Sequence, residues 1–347
     1  MEINMEQKIK CVVWDLDNTL WDGVLSEGDD VQLRSGITDI FKILDERGIL
    51  QSIASKNNFD DAYKKLAELG VAEYFLYPQI SWNPKSEAVK TISQKLNLGI
   101  DSFAFVDDSP FERSEVLTAD DRILVLDAAD IDKIPDMECF IPKFITEDTK
   151  NRRLMYIADS KRKQEEQEFT GDNTEFLKSL DMHLSIAPVT EHDLQRAYEL
   201  TVRTHQLNST GYTYSYDELK GFIDSAEHIF LIAQLTDRFG DYGKIGLILV
   251  ENTDSLRIKL LLMSCRVMSR GVGSAILIYL ARLKKKLGKR LFAEFKTTDR
   301  NRIMYITYKM MGFDELEDND GDVLLEYISD EDKEYPPYFT IDGDCEI

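Results

Sequence analysis

The stretch CVVWDLDNTLW, at residues 11–21, decides the fold of the first part of this chain. Its apolar run ends in two carboxylates, Asp15 and Asp17, which share one side of a strand because side chains alternate along it. Ligands bind at the carboxyl ends of strands in open α/β sheets. Two like charges repel, and Mg²⁺ prefers carboxylates together with phosphate oxygens. The pair therefore indicates phosphoryl chemistry, although a polar turn explains this motif equally well when it is taken alone.

Composition limits the classes of protein to which the chain can belong. It has 347 residues, of which 43% are hydrophobic, and this is enough for two domains with full cores. A formal net charge of −22 argues against a nucleic-acid-binding protein and against a basic membrane-binding patch. We find no signal peptide, no apolar run that could span a bilayer and no CxxC spacing among the cysteines. We therefore expect a cytoplasmic protein with free thiols, binding neither nucleic acid nor membrane.

Residues 1–148 alternate short apolar runs with amphipathic stretches. The apolar runs predict strands at residues 9–16, 49–54, 75–77 and 103–106. The stretches between them predict helices at residues 37–47, 59–69 and 85–96. This order is typical of an α/β fold with a parallel, Rossmann-like sheet that is covered on both faces.

The rest of the chain predicts a connecting segment, a second α/β domain and an acidic tail. Residues 149–183 are strongly charged and predict helices that connect two domains. Residues 184–328 predict the second domain, with strands at residues 184–188, 229–234, 244–251, 256–264, 290–295 and 323–328. The tail, residues 329–347, is acidic and contains proline, and we expect it to pack loosely.

Four sets of polar residues follow strands of the first domain or open its helices. They are Asp15 with Asp17, Ser55 with Lys56 and Asn57, Lys85, and Asp107 with Asp108 and Glu112. An aspartate can attack phosphorus, and a second acid can protonate the leaving group. A hydroxyl and an ammonium group can neutralise phosphoryl oxygens. Each set is a weak signal, and Lys85 alone is most simply a solvated helix residue, but all four in this order indicate phosphoryl transfer.

This pattern resembles the haloacid dehalogenase (HAD) superfamily. The resemblance implies that Asp15 is the nucleophile and that Asp17 is the general acid/base. It implies phosphate-binding roles for Thr19, Ser55, Asn57 and Lys85. It also implies a Mg²⁺ site made by Asp15, by Asp17 through its backbone carbonyl, and by Asp107 or Asp108 or both. Only a short loop and one helix fit between Thr19 and Ser55, so we expect no large cap domain over the site.

The second domain contains a glycine-rich loop, RGVGSA at residues 270–275, between a predicted strand and an apolar helix. Glycines let a backbone approach a pyrophosphate, and a helix N-terminus favours that anion. An ordinary glycine-containing turn is the alternative. With the late stretch at residues 305–313, the loop resembles the GNAT acyltransferase fold, which binds the pantetheine arm of acyl-CoA. The resemblance implies that four residues bind pantetheine or pyrophosphate: Arg270, Gly271, Gly273 and Ser274.

Three further stretches resemble the FkbH-like family, in which a HAD-type domain is fused to a GNAT-like domain. They are LDNTLWDG at residues 16–23, RTHQLNST at residues 203–210 and MSCRV at residues 263–267. The resemblance covers residues 8–328, with departures at His205, Ser269 and Arg300. It implies that the protein takes the glyceryl group of 1,3-bisphosphoglycerate, a small phosphorylated acyl substrate, and discards phosphate. It also implies an acyl carrier protein as partner, whose phosphopantetheine thiol receives the group from a cysteine thioester.

Cys265 is the predicted acyl-carrying cysteine. It ends a strand beside Arg266 and the glycine-rich loop, where cations and a helix N-terminus favour thiolate. Cys11 is predicted to be an inert core residue, Cys139 lies in a loop-like stretch and Cys345 lies in the tail. The other acyl-site candidates are His205, Asn208, Arg266, Thr298, Asn301 and Tyr308.

Two alternative functions and two minor features remain open at the level of sequence. The chain is also compatible with a plain phosphatase for a small phosphate ester, or with an N-acetyltransferase that uses acetyl-CoA. The basic stretch at residues 284–290 is compatible both with complementing the helix dipole and with docking an acidic carrier protein. The DNDGD stretch at residues 318–322 has the wrong register for a calcium loop and predicts a hairpin turn.

Overall fold

The structure, a computed structural model, describes residues 8–342. Cys345 and the last part of the predicted tail lie outside the described residues. The chain divides into two compact units, residues 1–157 and 158–347. In residues 8–342 no helix combines the length and the apolar character needed to cross a membrane.

Within residues 8–157, the first unit contains seven strands and five complete α-helices. Its strands are β1 (Cys11–Trp14), β2 (Trp21–Asp22), β3 (Gln32–Leu33), β4 (Leu50–Ser55), β5 (Gln79–Ile80), β6 (Phe103–Asp107) and β7 (Leu124–Asp127). Its helices are α1 (Ile37–Glu46), α2 (Phe59–Glu68), α3 (Lys85–Leu96), α4 (Pro110–Ala119) and α5 (Glu147–Lys150). The boundary between the units falls inside α6 (Arg152–Glu168).

A five-stranded sheet in the order β5-β4-β1-β6-β7 forms the centre of the first unit. All of its strand pairs are parallel. The four residues of the central strand, β1, are all buried, and they divide between the clusters on the two faces: Val12 and Trp14 pack on one, Cys11 and Val13 on the other. A parallel strand buried on both faces reads as a continuous apolar run, which is why β1 was predictable. The predicted α/β fold class is confirmed.

The predicted strand at residues 75–77 is wrong. Phe75 forms only an isolated bridge with Gln51, and the strand at this edge is β5, two residues further on. Tyr77 adopts a left-handed φ of 51°, and Pro78 follows with no N–H to donate. These two residues interrupt the extended run and delay the strand, because neither supports a continuous ladder.

The second unit is built on an eight-stranded sheet. Its strands are β8 (Met182–Pro188), β9 (His228–Asp237), β10 (Gly240–Asn252), β11 (Leu256–Met263), β12 (Leu291–Lys296), β13 (Phe313–Asn319), β14 (Asp322–Tyr327) and β15 (Phe339–Asp342). Its helices are α7 (Asn173–Ser179), α8 (Leu194–Arg203), α9 (Tyr216–Ile223), α10 (Val272–Leu287) and α11 (Arg302–Met311). The strand order is β13-β14-β12-β11-β10-β9-β8-β15. β11 and β12 run parallel, whereas most other pairs are antiparallel.

Two predictions about the end of the chain have different outcomes. The hairpin turn is confirmed, because Asp320 and Gly321 adopt φ values of 56° and 93° between β13 and β14. The expectation of a loosely packed tail is wrong for Phe339–Asp342, because these residues form β15, which pairs in parallel with the edge strand β8. Phe339 and Ile341 alternate along β15 and pack against the core, so burial of two apolar side chains outweighs the acidic composition.

Candidate active site

Three carboxylates of the first unit converge at the carboxyl edge of its sheet. Asp15 follows β1, and Asp107 ends the neighbouring strand β6, so strand pairing brings them together. Asp15, Asp107 and Asp108 each offer an oxygen, and these oxygens lie within 4.8 Å of one another. Asp15 and Asp107 are buried, whereas Asp108 is exposed. An all-oxygen donor set with one open side fits Mg²⁺.

Burial makes this carboxylate cluster electrostatically costly without a cation. Burial raises the pKa of Asp107 to about 7, although the nearby positive charge of Lys85 acts to lower it. It also raises the pKa of Asp15, although Lys85 again acts in the opposite direction. Buried charges are stable when they are paired or coordinate a metal. The residues present therefore fit a divalent cation held by Asp15, Asp107 and Asp108.

Lys85 is buried at the centre of this cluster, with its side chain 2% exposed. Its ammonium group contacts Asp15 directly and lies 3.1 Å from Asp107 and 3.1 Å from Glu112. Burial lowers the pKa of Lys85, but the charges of Asp15 and Asp107 outweigh this and raise it above the ordinary value. Lys85 is therefore a fixed positive charge, and the reading of a solvated helix residue is wrong.

The carboxylate of Asp17 makes contacts different from those of Asp15. It accepts hydrogen bonds from the Trp21 indole at 2.7 Å, from the Leu25 backbone N–H at 3.1 Å and from the Asn57 amide at 2.8 Å. It does not belong to the group of three carboxylates, among the described residues, that could hold a metal ion. Its predicted contribution to the metal through the backbone carbonyl stays a prediction.

Hydroxyl and amide groups complete the site. The Thr19 hydroxyl accepts from the Asp108 backbone N–H at 3.1 Å and donates to Asp15 at 3.4 Å. The Asn57 amide donates to the hydroxyl of Ser55, at the end of β4, at 3.3 Å. All the predicted phosphate-binding residues of the first unit are thus buried around Asp15.

Sequence reasoning missed Arg113 and the partners of Glu112. Arg113 donates to the backbone carbonyls of Asp107 at 2.7 Å and Asp108 at 2.8 Å, which fixes the turn that carries both acids. Glu112 pairs with Lys56 at 2.7 Å as well as with Lys85. Burial raises the pKa of Glu112, but the hydrogen bond from Lys56 and the charge of Lys85 outweigh it and hold the pKa below its usual range. No local motif indicates these contacts, because they depend on how strands pair.

In the second unit, the glycine-rich loop opens α10 as predicted. Gly271 has a φ of +75°, and a Cβ there would meet the Tyr338 hydroxyl. A Cβ at Gly273 would lie 3.0 Å from Met263. Arg270 is 3% exposed and pairs with Glu166 at 3.2 Å. Side chains of the unit itself therefore lie against both glycines, and the role of the loop and of Ser274 in binding pyrophosphate stays a prediction.

Three of the acyl-site candidates lie in the buried interior. Asn208 and Asn301 are each 1% exposed, and Tyr308 is fully buried. The Asn301 amide donates to the Asn208 carbonyl at 3.0 Å and to the Lys296 carbonyl at 2.8 Å. Burial raises the pKa of the Tyr308 hydroxyl. The described contacts of both asparagines are with main-chain atoms, which is typical of residues that hold a segment in place.

The segment around Ser209, which the two asparagines hold in place, lies between β11 and β12. These strands pair only from Leu256 to Ile258. Beyond that point the backbone around Ser209 bonds to both strands: its N–H donates to the Leu261 carbonyl at 2.9 Å, and its carbonyl accepts from Lys296 at 2.9 Å. The chain itself thus fills the opening between the two parallel strands.

The remaining candidates lie on more accessible positions. Cys265 is half-buried in a single 3-10 turn (Cys265–Val267) directly after β11, and the Arg266 side chain donates to Ser264 at 3.3 Å. His205 is exposed. Thr298 lines a groove of about 810 Å³ together with Tyr212, Tyr214, Arg257, Lys259 and Glu294, among others.

The basic stretch at the end of α10 is paired within its own unit. Lys285 contacts Asp332 at 2.6 Å, Lys289 contacts Asn252 at 2.7 Å and Arg290 contacts Glu326 at 2.7 Å. The pair of Lys285 with Asp332 is exposed, and exposed ion pairs contribute little to stability. Carboxylates thus lie against Lys285 and Arg290, and the carrier-docking reading stays a prediction.

Comparison with known proteins gives partial matches. No protein-family model and no curated protein matches the chain. Similar solved structures include the N-terminal part of protein BF1531 from Bacteroides fragilis, containing a phosphatase domain complexed with Mg (27% identity, 44% of this chain, 39% of that chain, TM-score 0.33). Another is a Had-superfamily hydrolase from Ehrlichia chaffeensis (15% identity, 38% of this chain, 97% of that chain, TM-score 0.32). A third is the PaiA N-acetyltransferase from Thermoplasma acidophilum in complex with coenzyme A (17% identity, 41% of this chain, 97% of that chain, TM-score 0.32). The match thus spans well under half of the Bacteroides fragilis chain.

Proposed function

We propose that the first unit is a Mg²⁺-dependent phosphoryl-transfer site of the HAD type, with Asp15 as the nucleophile. The observation that carries this proposal is the contact of the buried Lys85 ammonium with Asp15 and Asp107. A buried, protonated lysine beside a carboxylate cluster is suited to neutralise the oxygens of a phosphoryl group held there. Its charge favours the ionised form of Asp15, which a nucleophile requires, and so opposes the burial that raises the pKa of that carboxyl.

The other residues have roles that follow from their contacts. Asp17 is held by Trp21 and Asn57 and is not one of the three clustered carboxylates, and we assign to it the proton transfers to the leaving group and from water. Thr19 ties Asp15 to the turn that carries Asp108. When bound by Asp15, Asp107 and Asp108, Mg²⁺ supplies charge neutralisation at the phosphoryl oxygens.

We further propose that this chemistry is coupled to acyl transfer onto an acyl carrier protein. The support is the sequence resemblance to the FkbH-like family and the half-buried position of Cys265 at the end of β11. In the transfer step, the Cys265 sulfur bonds to the acyl carbon of the acyl phosphate, the C–O bond to phosphate breaks and the thiol proton is lost. This step leaves a 3-phosphoglyceryl group on Cys265. Asp15 then attacks the phosphorus of the 3-phosphate, the P–O bond to the glyceryl oxygen breaks as that oxygen takes a proton, and water releases phosphate from Asp15. The phosphopantetheine thiol finally takes the glyceryl group and releases Cys265.

A plain phosphatase is the second candidate function. It is favoured by one observation: the predicted phosphoryl-site residues all lie in the first unit and are complete without the second. A plain phosphatase releases phosphate from small esters and forms no protein thioester.

One experiment separates these functions. The full chain is incubated with Mg²⁺ and either enzymatically generated 1,3-bisphosphoglycerate or a panel of small phosphate esters, and both phosphate release and intact mass are measured. Acyl transfer predicts phosphate release with a hydroxylamine-labile mass gain. Phosphate release without any mass gain supports the plain phosphatase. If neither occurs with any substrate, the phosphoryl-transfer proposal is wrong.

A further inference from the structure

We infer that Glu115 is a positioning residue of the phosphoryl site, which fixes Lys85 by binding the backbone at the point where Lys85 opens α3. This inference rests on the proposed role of Lys85. Glu115 lies 30 residues from Lys85 in the sequence and belongs to no motif identified above.

The start of α3 lacks a cap from its own sequence. The first N–H groups of a helix have no partners inside it, and a side chain just before the helix usually accepts from them. Pro84 occupies that place and provides no such bond. The carboxylate of Glu115 supplies it instead, accepting from the Lys85 N–H at 3.1 Å and the Ser86 N–H at 3.2 Å. The Ser86 hydroxyl also contacts Glu115, and a negative charge suits a helix N-terminus.

The face of α4 that carries Glu115 also contacts the ammonium group of Lys85. Glu112 precedes Glu115 by three residues, so the two carboxylates are neighbours on the helix surface. Glu112 lies 3.1 Å from the Lys85 ammonium, while Glu115 binds the Lys85 backbone. Lys85 is therefore held by α4 at both its main chain and its side-chain tip.

α4 also begins directly after the acids of the site. Its N-cap residue is Ser109, whose backbone N–H donates to Asp107 at 2.8 Å. One helix thus links the position of Lys85 to that of Asp107 and Asp108. Groups that stabilise a transition state act well only when their geometry is fixed, and partners that orient them matter although they touch no substrate. Loss of the Glu115 carboxylate should therefore weaken phosphate binding through Lys85.

The test compares Glu115→Ala and Glu115→Gln with the wild type in the full chain. We expect Glu115→Ala to lower the affinity for inorganic phosphate, measured by calorimetry with Mg²⁺ present, by about 10- to 100-fold, with Mg²⁺ affinity retained. Glu115→Gln keeps one acceptor oxygen and should be intermediate. The matched control is Asp172→Ala, which removes a capping carboxylate from α7 in the second unit and should leave phosphate affinity unchanged.

Hydrogen exchange of the peptide at residues 82–92 provides a readout that does not depend on turnover. Exchange should be faster in Glu115→Ala than in the wild type and should be unchanged in Asp172→Ala. Wild-type phosphate affinity in Glu115→Ala would overturn the inference whatever the exchange rate, as would an equal loss of phosphate affinity in the control. If the wild type binds phosphate but hydrolyses no substrate, the proposed function fails and these two measurements still decide the role of Glu115. Should Glu115→Ala fail to fold, Glu115→Gln decides the outcome.

Discussion

The ammonium group of Lys85 lies 3.1 Å from the carboxylate of Asp107, in a position where the lysine side chain is 2% exposed and the aspartate side chain is fully buried. The two residues are 22 positions apart in the chain, and Asp15, which also contacts Lys85, is 70 positions away. A buried pair is stable only when each charge is compensated. This relationship makes the site a coupled electrostatic unit, in which a change to one member alters the others.

Replacing Asp15 with asparagine should abolish phosphate release and leave the protein folded. The change keeps the size of the side chain and removes its nucleophilicity, while Lys85 retains Asp107 and Glu112 as partners. Steady-state phosphate release and circular dichroism measure the two effects. Asp39→Asn, at an exposed position on α1, is the control and should keep wild-type activity. Normal turnover in Asp15→Asn would remove Asp15 from the mechanism.

Replacing Lys85 with methionine should lower the free energy of unfolding by about 3–5 kcal/mol in metal-free protein, because removal of one partner leaves uncompensated buried charge. Mg²⁺ should restore more stability to this variant than to the wild type, since the cation can compensate the same carboxylates. Urea denaturation with and without Mg²⁺ measures both effects. An unchanged midpoint in metal-free Lys85→Met would mean that the lysine does not compensate Asp15 and Asp107.

The stability of the metal-free protein should fall as the pH rises from about 4 to about 7. Burial raises the pKa of Asp107 to about 7, so across this range the folded protein keeps a proton that the unfolded chain has released. Mg²⁺ affinity should rise over the same range, because the metal binds the charged carboxylate. Urea denaturation and calorimetry at several pH values test both trends. Asp107→Asn should lose this part of the pH dependence, and a wild-type profile in that variant would contradict the assignment.

Removal of the metal should stop turnover. EDTA should abolish phosphate release and added Mg²⁺ should restore it, because the proposed donor set is made of oxygen atoms. Asp108→Ala should raise the Mg²⁺ concentration needed for half-maximal activity by about 10- to 100-fold, while the nucleophile Asp15 is retained. Full activity after exhaustive chelation would exclude a metal-dependent mechanism.

Cys265→Ala should fail to gain the acyl mass that the wild type gains from the acyl phosphate. Cys11→Ala and Cys139→Ala should still gain it, because both thiols are buried and burial raises the pKa of each, which makes them poor nucleophiles. Intact-mass spectrometry with and without hydroxylamine is the measurement. Cys345→Ala tests the fourth cysteine of the chain in the same way. An adduct that persists in Cys265→Ala would assign the acyl group to another residue.

Several features were not predictable because they depend on contacts between distant parts of the chain. Nothing local marks Glu115 as the cap of α3, and Arg113 acquires its role only when α4 folds back onto Asp107 and Asp108. The strand β15 lies in an acidic stretch whose composition favours disorder, and it forms because the edge of β8 offers unpaired backbone groups. In each case the partner comes from another element and leaves no periodic pattern in the sequence.

By itself, the sequence determined the strands β1, β4 and β6 and the helices α1, α2 and α3, together with the acids at the ends of β1 and β6, because hydrophobic period and strand ends are local properties. It also singled out Lys85. Only the tertiary structure decided which carboxylates meet: Asp107 and Asp108 join Asp15, whereas the carboxylate of Asp17 turns to Trp21 and Asn57. The reason is physical. Strand pairing and burial set the distance between side chains on different strands, and the spacing of residues along the chain does not predict that distance.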